Sequence, residues 1–480
     1  MQIIGRLKEK ELLDKLMSSK QAEFIALYGR RRIGKTFLVQ QHLSKKGLYL
    51  ECTGLKDGKL QAQLHNFIQS FSKTFYSGLP LQTSKSWREA FELLTIEVKK
   101  HKNKKIIIFL DELPWLATRK SELLQNLDYF WNTEWSKLPY FKLIVCGSAA
   151  SWMIANLINA KGGLYNRVTK SILLEPFNLS ETKEFLKSQK IKLNDKQILD
   201  LYMVMGGIPF YLNQLDPLKS LTQNINEICF RKDGLLHEEF PRLFRSLFER
   251  AELNLNIVRE IAKRRYGIDF KTLVEKVGKK AGGRFKERLQ ELEAAGFIQG
   301  FLPYGRKKRD HYYKVIDEYT LFYLKWIEEV AQKRSIPKEI DYWTKVSKTS
   351  SWLSWAGYSF ENICYKHSYK IIKALNLEST GCLVSHWHYK AKGLEEGTQI
   401  DLLLEREDNA ITLCEIKYSS QPFSIDKTYA KQLQKKIEIF ENHLKQPKQI
   451  FLTLITTSAF KENIWSEDLI NQSLTLKDLF

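Results

Sequence analysis

Residues Gly29-Arg30-Arg31-Arg32-Ile33-Gly34-Lys35-Thr36 spell GxxxxGKT, and Phe37-Leu38-Val39-Gln40 continue them in helical style. Glycines at these two positions let backbone N–H groups curl toward an anion, with a helix N-terminus behind them. In such a cradle Lys35 reaches the β- and γ-phosphates of ATP and Thr36 holds Mg²⁺. Gly29, Arg32, Ile33, Gly34 and Phe37 form the surrounding loop. A plain glycine turn is the alternative, but it needs neither the apolar strand before this stretch nor the helix after it.

A second set of residues fits the same chemistry. Ile106-Ile107-Ile108-Phe109-Leu110-Asp111-Glu112 is an apolar run that ends in two carboxylates, and ligands bind at the carboxyl ends of such strands. Asp111 can hold Mg²⁺ through water while Glu112 polarises the attacking water. Another apolar run ends at Cys146-Gly147-Ser148, where Ser148 is placed to sense the γ-phosphate, to cap a helix over 150–158, or to do both.

The C-terminal part carries different chemistry. Ile400-Asp401-Leu402-Leu403-Leu404 places one acid in an apolar run, where an unpaired carboxylate is costly. Along Ala410–Tyr418, a period of two puts Ile411, Leu413, Glu415 and Lys417 on one face. Asp…Glu-x-Lys resembles the ligand set of the PD-(D/E)xK nucleases, in which two carboxylates hold Mg²⁺ or Mn²⁺ and the lysine orients water and steadies charge on phosphate. Glu97-Val98-Lys99 and Glu181-Thr182-Lys183 repeat the triplet in helical surroundings and read as solvated faces. The resemblance implies a further metal-site glutamate on the first helix, matched by Glu361, and a glutamine on a later helix, for which Gln432 is nearest. The motif departs from its relatives in reading Gln-Ile-Asp before the second strand's core. The alternative is a structural ion cluster of Asp401, Glu415 and Lys417. His386 and His388 share a strand face with no third ligand in sight, as an ordinary polar face does.

Between these regions, 255–265, 270–277 and Phe285–Ala295 read as three helices, followed by a hairpin over 296–315 with a basic tip, Arg306-Lys307-Lys308-Arg309. Three helices and a hairpin make a winged helix-turn-helix. Its third helix carries Arg284, Lys286 and Arg288 off the apolar stripe, and these with the four tip cations are candidate DNA phosphate contacts. A winged helix used only for packing is the alternative.

The elements that must position these residues follow a rhythm. Glu23–Tyr28, Leu48–Cys52, Ile106–Leu110, Phe141–Cys146 and Ser171–Leu174 read as buried strands separated by helices, an α/β pattern with a doubly wound parallel sheet. From 178 to 250 only helical periodicity remains. The C-terminal block reads as helix (355–375), three strands (382–389, 399–405, 410–418), helix (425–443) and strand (449–456), an αβββαβ order. The expected domains are a P-loop core over 1–177, a helical lid over 178–250, a winged helix over 251–316, a helical connector over 317–353 and a nuclease-like domain over 354–480.

Composition agrees. The chain has 480 residues, 43% of them hydrophobic, which excludes wholesale disorder and at about 150 residues per domain suggests three domains. Its 76 Lys+Arg against 55 Asp+Glu leave a charge of +21, which favours a polyanionic partner. Six scattered cysteines without a CxxC pair, no signal-like start and no long apolar run lead us to expect a soluble cytoplasmic protein without a membrane partner.

Taken together, Ile4-Gly5-Arg6-Leu7-Lys8-Glu9, the GKT loop, FLDE, GSAASWM, Leu164-Tyr165-Asn166-Arg167 and Gly206-Gly207-Ile208-Pro209-Phe210 resemble the archaeal-type P-loop ATPases of the AAA+/STAND group. The resemblance implies that Gly5, Arg6 and Pro209 flank adenine. It also implies an arginine after the fourth strand facing the γ-phosphate, with Arg167 the nearest match and Arg30–Arg32 and Arg119 as rivals. Whether that arginine acts within one chain or between copies in a homo-oligomer is open. Over the full chain the order of parts is similar to archaeal-type ATPases that carry a C-terminal domain of unknown function 234. That implies an ATP-binding and hydrolysing, DNA-associated protein with a Mg²⁺- or Mn²⁺-dependent nuclease domain. The rival is an ATP-switched DNA-binding regulator or signalling ATPase with an inactive nuclease fold.

Overall fold

The computed structural model describes residues 2–159, 164, 166–278, 284–307, 310–332, 342–389 and 397–480. The chain forms two compact units, Met1–Phe177 with Ile208–Phe210, and Asn178–Gly207 with Tyr211–Phe480.

In the first unit, helix α1 (Leu7–Ser18) leads into β1 (Glu23–Tyr28), α2 (Lys35–Leu43), β2 (Leu48–Thr53), α3 (Leu60–Phe75), α4 (Trp87–Lys100), β3 (Ile106–Asp111), β4 (Phe141–Gly147) and β5 (Lys170–Leu173). All five strands pair in parallel in the order β2-β3-β4-β1-β5. Every residue of β3 and β4 is buried, because helices cover both faces, and a two-sided burial selects the unbroken apolar runs seen in the sequence. An aromatic core of Phe67, Trp87, Phe91, Phe130 and Trp135 joins α3 and α4 through ring contacts at 5.2–5.9 Å and reaches β4 where Trp135 meets Phe141 at 5.1 Å. Each such ring contributes roughly 1.5–3 kcal/mol by leaving water. With β4 set between β1 and β3, the carboxyl ends of these three strands stand side by side.

The second unit begins with helices Leu179–Ser188 and Asp195–Met205, each started by a capping box from Asn178 or Asn194. Helix Ala251–Ala262 is followed by β6 (Ile268–Asp269), helix Phe270–Leu273, helix Phe285–Ala294, β7 (Ile298–Phe301) and β8 (Tyr312–Val315). The strands form an antiparallel sheet in the order β6-β8-β7. The two-residue β6 is absent from the sequence reading, being too short to show alternation. Helices Ser350–Lys366 and Ser368–Ala374 then precede β9 (Cys382–Tyr389), β10 (Thr398–Arg406), β11 (Ala410–Lys417), β12 (Phe423–Ser424), helix Lys427–Glu441, β13 (Gln449–Thr456), β14 (Phe460–Lys461) and β15 (Gln472–Thr475). The expected single helix over 355–375 is two, divided at His367, whose Nδ1 pairs with the Ile363 carbonyl and whose Nε2 accepts from Leu179 N–H.

The C-terminal sheet is mixed, in the order β15-β13-β11-β10-β9. β9, β10 and β11 are antiparallel, whereas β13 and β15 join in parallel. Ala430, Leu433 and Phe440 of helix Lys427–Glu441 pack on Ile411, Leu413 and Leu452. The β7–β8 hairpin docks at the β9 edge: Tyr304 N–H donates to the His386 carbonyl at 2.9 Å and the Tyr304 ring meets Phe440.

Candidate functional sites

At the end of β1 the chain turns through Gly29, with φ 141°, where a Cβ would stand 2.3 Å from the Leu174 carbonyl oxygen. Only glycine lets the loop start this close to β5. Gly34 has φ 88° and precedes α2, and no atom lies within 4 Å of where its Cβ would be. The cradle is open at that point. Lys35 is buried, and its Nζ donates to the carbonyls of Gly29 and Arg30 at 3.0 and 2.9 Å. Thr36 Oγ1 donates to Asp111 Oδ2 at 2.8 Å, which joins the loop to the end of β3. Ile33 is buried and Phe37 half-buried behind it.

Asp111 also accepts from Glu112 N–H through Oδ1. Glu112 has φ 48°, a left-handed backbone that costs a residue with a Cβ about 1 kcal/mol or more. The turn aims its carboxylate at Ser148, whose N–H and hydroxyl donate to Glu112 Oε2 at 3.1 and 2.9 Å. Ser148 therefore does not cap the following helix; Ala149 occupies that position without a side-chain cap.

Gly5 and Arg6 both have left-handed φ, 63° and 57°, at the start of α1. Arg6 donates to the Ile33 and Glu175 carbonyls and stacks on Phe177 at 4.6 Å, so it ties the GKT loop to the segment after β5. Arg32 lies 4.3 Å from the ring of Phe210, the residue after Pro209. Arg167 is 44% exposed and 3.9 Å from Asp128. Tyr165 lies outside the described residues, and Arg119 is exposed.

In the second unit, Asp401 and Glu415 are buried at 7% and 4% exposure on neighbouring strands. Asp401 sits where both ladders of β10 are interrupted. The β10–β11 pairs run from Leu402–Cys414 to Glu405–Ile411, and the β9 register shifts between Ile400 and Leu403. Its Oδ2 accepts from Ile416 N–H and its Oδ1 from the Gln399 amide, both at 3.1 Å. The glutamine that departs from the expected motif is thus a donor to the aspartate. Glu415 receives Lys417 Nζ at 2.8 Å, the Tyr429 hydroxyl at 2.6 Å and the Lys436 ammonium. Glu361 pairs with Arg265 at 2.8 Å. Gln432 is exposed, and its helix reaches Glu415 through Tyr429 and Lys436, two partners the sequence reading missed.

Three carboxylates thus stand near enough for their charges to interact. Burial, reinforced by the Asp401 charge, pushes Glu361 up to about 7, and burial with the Glu415 charge raises Asp401. Burial works the same way on Glu415, but Lys436 and Lys417 outweigh it and hold that carboxyl well below its ordinary range. Among the described residues, no three His, Cys, Asp or Glu side chains are grouped closely enough to hold a metal ion.

The basic residues expected on the third helix separate. Arg284 is 77% exposed and Lys286 is exposed, but Arg288 is 14% exposed and turned onto Glu291 at 2.8 Å. Arg306 and Lys307 are exposed; Lys308 and Arg309 lie outside the described residues. A cleft of about 730 Å³, lined in part by Arg259, Lys263, Arg265, Lys276 and Lys325, opens beside the Arg265–Glu361 pair. His386 is half-buried and engaged: Lys314 Nζ is 2.7 Å from its Nε2, and the Tyr365 ring stacks on it at 4.4 Å. Burial lowers Lys314 to about 7. His388 stacks on Tyr266.

Residues 4–215 match a family described as an ATPase domain predominantly from Archaea. An uncharacterized protein of Methanocaldococcus jannaschii is 23% identical over 431 residues, 86% of this chain and 87% of that protein. An uncharacterized ATP-binding protein of the same organism is 42% identical over 43 residues, 9% of this chain and 73% of that protein. Among solved structures, a Walker-type ATPase of Pyrococcus abyssi aligns over 67% of this chain and 96% of its own at 19% identity and a TM-score of 0.47. The ORC2 protein of Aeropyrum pernix, in its ADPNP and ADP complexes, aligns over 68% and 95% at 14% identity and a TM-score of 0.42. No helix among the described residues is long and apolar enough to cross a membrane.

Proposed function

With residues 4–215 an ATPase domain of this archaeal kind, we propose that the protein is a DNA-associated ATPase whose C-terminal sheet carries a metal-dependent nuclease site. In the first site, Lys35 exchanges the Gly29 and Arg30 carbonyls for the β- and γ-phosphates of ATP. Thr36 and Asp111, already joined at 2.8 Å, are the oxygen ligands suited to Mg²⁺, which when bound neutralises phosphate charge. Glu112 takes the proton of the attacking water, and Ser148 orients that carboxylate. Gly5, Arg6 and Pro209 bound the adenine end, and Arg167 supplies the charge opposite the γ-phosphate.

The observation that carries the nuclease reading is the burial of two carboxylates on neighbouring strands, Asp401 and Glu415, with Lys417 at 2.8 Å from the second. The donor set fits a hard cation in kind, since Mg²⁺ or Mn²⁺ prefers carboxylate oxygen and would offset the burial, and the added carboxylate repulsion, that raise Asp401 and Glu361. A bound cation there supplies Lewis acidity to the phosphodiester. Lys417 orients the water and Glu361, released from Arg265, adds a third oxygen. The hairpin and the folded helices before it form a winged helix that meets DNA through Arg284, Lys286, Arg306 and Lys307.

A second reading, an ATP-switched regulator with an inactive sheet, rests on the two ammonium groups that already neutralise Glu415. One experiment separates the two. Plasmid incubated with the full chain and Mg²⁺ or Mn²⁺, with and without ATP, is expected to be cut, and Lys417→Ala is expected to stop cutting. Cleavage that survives Lys417→Ala removes the assigned site; no cleavage by the natural chain under any condition favours the regulator.

A further inference from the structure

The irregular backbone at Asp401 is held by a side chain from β9. Ile400 pairs with Trp387 and Leu403 with Ser385, so Asp401 and Leu402 together face His386 alone, as in a β-bulge. Bulges re-aim the side chains beside them. Here the Asp401 carbonyl oxygen is 2.7 Å from His386 Nδ1. A carbonyl only accepts, so Nδ1 carries the proton, and Nε2 of the neutral ring is left as an acceptor. Lys314 Nζ meets that Nε2 at 2.7 Å, as a donor facing the acceptor nitrogen of this tautomer. Lys314 is 3% exposed, with Tyr365 3.6 Å beneath its ammonium, and its own strand β8 belongs to the hairpin that docks on β9. A buried lysine so placed has no route to solvent or to DNA, and its chain of contacts ends at the residue that carries the candidate metal-binding carboxylate.

We propose that Lys314 and His386 are positioning residues for the nuclease site: Lys314 fixes the Nδ1–H tautomer of His386, and His386 holds the Asp401 carbonyl so that the bulge aims the Asp401 carboxylate at a divalent cation. The inference rests on the nuclease reading above. It makes the β7–β8 hairpin part of the machinery of the C-terminal sheet as well as a DNA-facing element. Outer partners of metal ligands commonly change metal affinity by about 10–100-fold when removed.

The test is Mn²⁺ titration of the full chain without nucleotide, followed by electron paramagnetic resonance. Asp401→Asn is expected to abolish the site. Lys314→Met, which keeps the stem and loses the donor, is expected to weaken Mn²⁺ binding about 10-fold, with ATP turnover and DNA affinity unchanged. His386→Asn, whose amide can still donate toward the Asp401 carbonyl, is expected to lose less than His386→Ala. In the natural chain the ¹⁵N shifts of His386 are expected to show a proton on Nδ1, a readout that needs no variant to fold. If Asp401→Asn leaves Mn²⁺ binding unchanged, the nuclease reading itself fails. If Asp401→Asn abolishes binding but Lys314→Met and His386→Ala bind Mn²⁺ as the natural chain does, or if the His386 proton sits on Nε2, the positioning role alone is overturned.

Discussion

Two acidic sites in this chain are stabilised by different kinds of partner. At the end of β3, Asp111 and Glu112 are held by the hydroxyls of Thr36 and Ser148 and by backbone N–H groups, all neutral donors. Where β10 meets β11, Glu415 is held by the ammonium groups of Lys417 and Lys436 and the phenol of Tyr429. Neutral donors orient a carboxylate and leave its charge available to an incoming cation. Internal countercharges satisfy it, so a cation must compete with them. Under the proposed function, a cation at the first site would displace only neutral donors, whereas one at the second would have to displace ion pairs.

The largest expected effect concerns whether the sites are separable. Lys35→Ala is expected to lower ATP turnover by about 10³-fold, on the scale of losing a preorganised charge contact, while Mn²⁺ affinity of the C-terminal sheet stays unchanged. A shared loss would break the comparison. Lys436→Met strips one countercharge from a buried carboxylate and is expected to cost about 3 kcal/mol in denaturant melts; a cost near zero would mean that Glu415 does not depend on its cations. Glu112→Gln is expected to slow hydrolysis about 100-fold with nucleotide affinity kept, read from single-turnover rates and nucleotide titration. Normal hydrolysis would remove Glu112 as the base.

The smallest effect is in pH dependence. Glu361 has a folded-state value of about 7, above its unfolded value, so the folded chain binds the proton more tightly and stability falls as pH rises from about 4.5 to 7. Glu361→Gln is expected to remove that fall, gaining about 2 kcal/mol over the natural chain at pH 8 relative to pH 4.5. Glu415 is lowered instead, so its contribution is present at neutral pH and is lost as pH falls below about 4.5. Melting curves across pH 3–8 distinguish the two signs.

The difference between the sites also explains what the sequence revealed. The three central strands, β1, β3 and β4, were legible because burial on both faces leaves unbroken apolar runs; β2 and β5, expected to be buried, are edge strands that are only partly so, and the GKT loop and Asp111-Glu112 were legible because each site residue sits at a strand end fixed by local backbone. Asp401 stood out as one acid in an apolar run. Lys436 and Lys314 did not, since each looks like an ordinary lysine until the fold brings it to Glu415, 21 residues away, or to His386, 72 residues away. Ser148 was ambiguous for a related reason: a serine after a strand suits a cap and an anion alike, and its partner, the Glu112 carboxylate turned toward it by a left-handed backbone, is not visible in the local sequence. Arg288 was read as a surface cation because the sequence marks its position off the apolar stripe but not its partner Glu291 one turn on.

The docking of the hairpin has a consequence for how the chain can be divided. β9 is the outer strand of its sheet, with Leu383 70% exposed, and Tyr304 N–H occupies the His386 carbonyl on that edge. An open edge beside an exposed leucine is a template for pairing with another chain. A fragment cut just before residue 342 would lose its edge guard, and its tendency to self-associate would come from the cut rather than from the natural protein.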